Sequence, residues 1–386
     1  MIRLKQLIWY IWILSLPGCV EEYFPDLNKY ENLLVVDGRI TNDPGPYIIK
    51  LSQSSEVRQG WWIPLGGATI ELMDDLGNSE ILTETEEGTY STAPDGMQGK
   101  VGRQYRIEIE TANGKKYNSP FETLRKPVEI DSVYTQFEYH PNEEGSYEYA
   151  GLQFYLDTKP AEQDTNYLMW SSTATYIYEA DFKIRFIFEG SLEPFPDPDS
   201  LKTCYVTSRV PTVFTSGTAD LVAPVIKHFP LHYVSSETRE LSVRYSVLVN
   251  QLTLGRNAWM FWDQVREQNE NQEGLYTIQP YQIQGNITCI SDPEEPVLGQ
   301  FTVAGIHKKR IFRNRSDLPV IFRYPVCEIS EGDIENFSTI FLYPSYSWPV
   351  YATTTVDGVP ALPPQVCMDC RETGGTIEKP DFWVDN

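Results

Sequence analysis

Positive charge is scarce in this sequence. Its 386 residues carry 31 Lys and Arg against 54 Asp and Glu, a formal net charge of −23. Nucleic-acid binding needs clustered cations to neutralise phosphates, and broad adhesion to an anionic lipid surface needs the same, so the balance argues against both. Histidine is scarcer still, at four residues: His140, His228, His232 and His307. His228 and His232 are four apart, but Pro230 lies between them, and a helix would not present both on one face there. No His-Glu-x-x-His metal motif, Gly-x-Ser-x-Gly elbow, phosphate-binding loop or dinucleotide fingerprint occurs. No catalytic residue, metal or cofactor is therefore expected. A surface glycoside hydrolase is the least favoured alternative, because its paired carboxylates leave no local signature.

Long apolar runs are missing as well, and so are heptad patterns and short tandem repeats. The main apolar stretch, Leu7 to Leu16, follows the basic residues Arg3 and Lys5. As a helix it is roughly 15 Å long, about half of a bilayer core near 30 Å. Residues 1–18 therefore read as a secretory signal peptide and not as a permanent span. Leu16-Pro17-Gly18-Cys19 resembles the bacterial lipoprotein signal, which implies that Cys19 is acylated and becomes the mature N-terminus. Glu21 and Glu22 resemble the surface-export signal of Bacteroidota lipoproteins. Residues 19–32 are then a lipidated cysteine and tether, and the expected location is the outer membrane, lipid-anchored and facing the cell exterior.

Aromatic residues and turn formers are abundant: 9 Trp, 24 Tyr and 17 Phe beside 25 Gly and 27 Pro. That mixture favours short strands over long helices. Tyr105-Arg106-Ile107-Glu108-Ile109-Glu110 alternates with period two, which predicts a sheet with one wet face. Asn113-Gly114 predicts a hairpin turn, because both residues tolerate positive φ. The fold expected is mainly all-β: an N-terminal immunoglobulin-like β-sandwich over residues 33–125, then a larger β-rich domain over 126–386. The boundary falls at Leu124-Arg125-Lys126-Pro127, where proline interrupts ladder pairing. Periodicity switches once, near 254–270, where Ala258, Phe261, Trp262 and Val265 fall on one helical face. One packed helix is expected there, and a long strand is expected from Leu241 to Leu252.

Five cysteines remain beyond Cys19: Cys204, Cys289, Cys327, Cys367 and Cys370. An oxidising compartment permits two bridges with one thiol left over, and the sequence does not choose the pairing. The preferred reading is two bridges pinning the Cys-containing tail to the second domain. Redox use of Cys367-x-x-Cys370 lacks a βαβ context, and zinc lacks a second Cys-x-x-Cys pair. Trp61 and Trp62 are adjacent, so on a strand one of them would be exposed and could stack on a sugar or anchor a partner.

Fragments spread along the chain resemble a known family. They include Val35-Val36-Asp37-Gly38 with Asp43-Pro44-Gly45-Pro46-Tyr47, Ser242-Val243-Arg244-Tyr245-Ser246 with Phe261-Trp262, and Gly285-Asn286-Ile287 before Cys289. Leu298-Gly299-Gln300-Phe301 and Cys367-Met368-Asp369-Cys370 before Lys379-Pro380-Asp381-Phe382-Trp383 continue the pattern. Together they resemble domain-of-unknown-function family 4249, outer-membrane lipoproteins of Bacteroidota. The resemblance implies an accessory or substrate-capture role beside a TonB-dependent outer-membrane receptor, with a glycan or peptide as ligand. It brings no catalytic residues. The alternative is a glycan-binding surface module that acts without a transporter.

Overall fold

The computed structural model describes residues 32–54, 63–142, 145–159, 166–219, 221, 223–272, 283–319 and 322–384. Cys19, Glu21, Glu22, Trp61 and Trp62, with the signal peptide, lie outside the described residues. The protein is mainly β, as the composition predicts.

One strand organises the molecule. Leu298–Asn314 is 17 residues long. Its first half runs parallel to Leu34–Thr41, from Val35↔Leu298 to Thr41↔Ala304. Its second half runs antiparallel to Arg244–Leu254, from Thr253↔Gly305 to Arg244↔Asn314. The result is a continuous ten-stranded sheet. Each half of that sheet is covered by a different partner sheet, so the chain builds two sandwiches that share one backbone.

In the first sandwich, Leu34–Thr41 and Ile48–Gln53 pack against a six-stranded sheet that contains Thr69–Asp74 and Gln104–Glu110. The alternation read from the sequence holds: Tyr105, Ile107 and Ile109 point inward. Gly114, at φ 82°, turns the hairpin into Lys116–Asn118. The core joins Val36, Ile49, Ile70, Tyr90 and Tyr105 to Ile287, Val297, Phe301 and Val303. Residues far beyond 126 therefore complete this sandwich, and Thr288–Cys289 adds a strand to its sheet edge. Leu124 belongs to this core and Val128 to the next, so the chain changes core across Pro127.

In the second sandwich, a three-stranded sheet covers the other half of the long sheet. It consists of Ile130–Pro141, Glu148–Thr158 and Phe229–Ser235. Val133, Leu152, Phe154 and Leu156 meet Leu168, Trp170, Val247 and Val249. The strand expected from Leu241 begins at Arg244, because Arg239–Leu241 winds into a 3-10 turn. The helix Arg256–Gln272 lies on the opposite face of the long sheet, where Ala258, Trp259 and Trp262 pack with Met169, Leu252, Leu254 and Ile306. A second, six-residue helix, Glu331–Asn336, is capped by Ser330.

The C-terminal segment forms a small sheet with Phe186–Phe188 and Val350–Thr354 at its centre. Two disulfides hold this region. Cys204–Cys370 ties it to the strand Thr203–Arg209, with Cα atoms 5.5 Å apart, and Cys327–Cys367 closes a shorter loop at 5.9 Å.

Candidate functional site

The strand Phe229–Ser235 places functional groups on both faces of its sheet. Gln153 pairs with Tyr233 but Tyr155 pairs with Pro230. Phe154 thus faces two residues, Leu231 and His232, across a β-bulge. A bulge re-aims side chains that strict alternation would separate. Here it sends His232 inward, where its ring stacks on Phe154 at 4.8 Å and 3°.

Between the two sheets, beside that bulge, lies a cavity of about 470 Å³. Ala174, Val210, Pro211, Phe214, Leu231 and Val234 give it apolar walls. Ser208, Arg209, Thr212, His232, Tyr233, Glu240 and Tyr245 complete its lining. Its size matches a small-molecule site, and its lining divides about evenly between apolar and polar groups.

The electrostatics of those groups follow from burial. His232 Nε2 lies 2.8 Å from the Tyr245 hydroxyl. The proton of that bond sits on either atom, so the opposite ring nitrogen, Nδ1, is a donor or an acceptor accordingly. His232 Nδ1 is buried and has no partner. Burial pushes this ring down to about 4, so it is neutral at pH 7. Burial likewise raises the Tyr245 hydroxyl and the Glu240 carboxyl. Glu240 accepts one hydrogen bond, from Thr238 Oγ1 at 3.3 Å. Arg209 is exposed, and because it pairs with Thr173 while Ser208 pairs with Ala174, its side chain lies on the face of the sheet away from the cavity. Ser172, two residues from Ala174 on the same strand face, has a buried hydroxyl that also lacks a partner.

The outer face of the same sheet carries a ring ladder. Tyr134 stacks on Tyr155 at 5.8 Å, and Tyr155 on His228 at 3.9 Å. His228 has φ 55°, an uncommon conformation for a residue with a side chain. Its N–H donates to Asp157 at 2.7 Å, and its Nδ1 lies 2.8 Å from the Tyr134 hydroxyl. Burial raises the Asp157 carboxyl, but the His228 N–H and the Lys227 ammonium outweigh it and hold the group below the usual range. Further along, Tyr233 lies across Gly151, where an added Cβ would come within 2.4 Å of its ring. His140 stacks over Tyr233 at 3.9 Å.

The sequence-predicted residues distribute as follows. His228 and His232 occupy opposite faces of the sheet and do not converge. Cys204, Cys327, Cys367 and Cys370 are spent in disulfides, and Cys289 is a free thiol buried in the first core. Its neighbour Glu295 accepts from Tyr117 at 2.9 Å and from Lys115 at 2.5 Å, which closes that cluster on itself. The cavity groups Glu240 and Tyr245 escaped sequence reasoning. One signal pointed to the bulge: Pro230 in an otherwise strand-like run marks an edge or an irregularity.

The model of one family, described as a domain of unknown function (DUF4249), matches residues 20–310. No curated protein matches the chain.

Proposed function

The chain belongs to that family, and on that premise we propose that it is a non-enzymatic outer-membrane lipoprotein. Cys19 carries the lipid anchor, Glu21 and Glu22 direct the body to the cell exterior, and the second sandwich captures a small ligand for a TonB-dependent receptor. The observation that carries this reading is His232 Nδ1, buried without a partner beside an open cavity. Leaving such an atom unpaired costs about 1–3 kcal/mol, which a polar group of a bound ligand recovers. The remaining groups suit holding a ligand: His232 is neutral and held by Tyr245, and Glu240 offers a carboxyl. Affinity purification after mild detergent extraction tests the partnership. An outer-membrane receptor is expected above background, and its absence overturns the accessory role. Cys19→Ala is expected to release the chain from the membrane fraction.

A second reading, a glycan-binding module without a transporter, is favoured by the Tyr134–Tyr155–His228 ladder. Aromatic faces beside carboxylates suit sugar stacking. It predicts retention on polysaccharide gels that His228→Ala abolishes. Trp61 and Trp62 remain candidates for the same role, and Trp61→Ala with Trp62→Ala extends the test.

A further inference from the structure

We propose that the C-terminal segment carries the docking surface for the outer-membrane receptor: an apolar ridge, Phe341-Leu342-Tyr343 with Tyr346, bordered by carboxylates. The inference rests on the accessory reading and assigns it a surface. Among the described residues nothing covers the ridge. Phe341 is 58% exposed, Leu342 79%, Tyr343 39% and Tyr346 89%. At about 200 Å² per large side chain they leave roughly 500 Å² in solvent. That suits the apolar centre of an interface of about 800 Å² per partner.

The scaffold beneath holds these side chains in place. Phe337–Leu342 and Ser345–Ser347 are 3-10 turns. Ile340 is fully buried and packs in one core with Phe188, Val350 and Ala352. Phe341 meets the Phe188 ring edge-on at 5.6 Å, and Trp348 meets it at 5.7 Å. Trp348 Nε1 donates to the Tyr343 carbonyl at 2.9 Å, and the Ser347 hydroxyl donates to the Pro344 carbonyl at 2.8 Å. Anchors presented on a fixed backbone lose little freedom on binding, and tyrosine is among the residues that anchor interfaces.

Charge names the partner. Residues 324–370 contain Glu328, Glu331, Asp333, Glu335, Asp357 and Asp369 but no Lys, Arg or His. Glu331, Asp333 and Glu335 lie on the helix that runs directly into the ridge. A bilayer with anionic headgroups repels such a border. A second copy docked ridge to ridge sets like carboxylates against each other, because a two-fold interface pairs the same patch with itself. The surface that answers is an apolar pocket rimmed by Lys and Arg, which meets the carboxylates at its edge and buries Leu342 and Tyr346 at its centre.

Photo-crosslinking in the producing cells tests this, with a photoreactive amino acid at position 346 of the full chain. A covalent adduct to the receptor is expected. Leu342→Ser with Tyr346→Ser should reduce receptor recovery about tenfold or more, and Glu335→Lys should reduce it by a smaller factor. Leu342, Tyr346 and Glu335 are exposed, so the variants keep the fold, and thermal unfolding of each verifies this. An adduct to lipid, to the chain itself or to nothing overturns the surface. Receptor recovered equally by every variant refutes this face and leaves the accessory role. No receptor recovered by the unsubstituted chain refutes the accessory role and this surface together.

Discussion

The two sandwiches share one long strand and differ in how completely their interior aromatic and imidazole groups are paired. In the first, interior phenols are satisfied. Tyr90 donates to the Leu65 carbonyl at 3.1 Å and accepts from Ala68 N–H at 2.9 Å. Tyr105 accepts from Lys100 N–H at 2.8 Å, and Tyr47 donates to the Thr41 carbonyl at 2.8 Å. In the second, one end is equally complete: Trp170 Nε1 donates to Gln251 at 2.8 Å, and Gln251 donates to the Val128 carbonyl. The other end, at the bulge, holds the cavity, the unpartnered His232 nitrogen and the unpartnered Ser172 hydroxyl. A three-stranded sheet cannot cover the wider sheet beneath it, and the site forms where cover runs out. A closed core supplies stability, and the gap in the second supplies a place for a ligand.

The strongest test breaks this contrast by truncation. Phe301 is 1% exposed in the first core. Phe301→Ala is expected to cost about 3–5 kcal/mol, the usual penalty for emptying a sealed site. Phe214→Ala, at a wall that already faces open space, should cost less than half as much, because it creates little new cavity. Urea unfolding measures both, and equal losses would erase the distinction between the cores. The disulfide comes next. Cys204 and Cys370 are 166 residues apart in sequence, so their bridge removes much unfolded-state freedom. Cys204→Ser with Cys370→Ser should cost about 2–5 kcal/mol. Limited proteolysis should then cut the segment after Cys327 before it cuts the first sandwich.

The β class, the hairpin at Asn113-Gly114 and the helix starting at Arg256 were legible because each rests on local pattern: alternation, turn chemistry and a switch of period. The shared sheet was not. Leu298–Asn314 joins two partners hundreds of residues apart in sequence, and no local feature of Leu298-Gly299-Gln300-Phe301 announces a parallel pairing with Leu34–Thr41. The candidate site was hidden for a related reason. In strict alternation His228 and His232 share one face, and only the long-range pairing with Gln153 and Tyr155 creates the bulge that parts them. Cysteine pairing is spatial in the same sense, and the fold alone selects Cys204 with Cys370.

Acid sharpens the comparison further. His232 drops from 6.5 to about 4 on burial, so the folded ring binds its proton less readily than the unfolded one. The stability it permits is whole above pH 6.5 and is lost progressively as pH falls toward 4. The loss is roughly 2–3 kcal/mol over that window, taking 1.36 kcal/mol per pKa unit. His232→Gln should flatten this part of the pH profile. Chemical denaturation of both proteins at pH 7 and pH 4.5 checks it, and parallel profiles would show that the ring is not held neutral.

The smallest effect on stability carries the cleanest separation of the two cores. Ala174 is buried but faces the cavity. Ala174→Leu pushes a larger side chain into empty space, so it should change unfolding free energy by less than about 1 kcal/mol, against about 1–3 for overpacking a filled core. Gly38 is the control in the first sandwich. There an added Cβ would sit 3.0 Å from Ile49 Cγ1, so Gly38→Ala should fall in the destabilising range. Ala174→Leu alters no charge and no hydrogen bond, so the pair of substitutions compares packing alone. If both substitutions destabilise alike, the gap beside His232 closes in solution, and the two sandwiches are packed to the same standard.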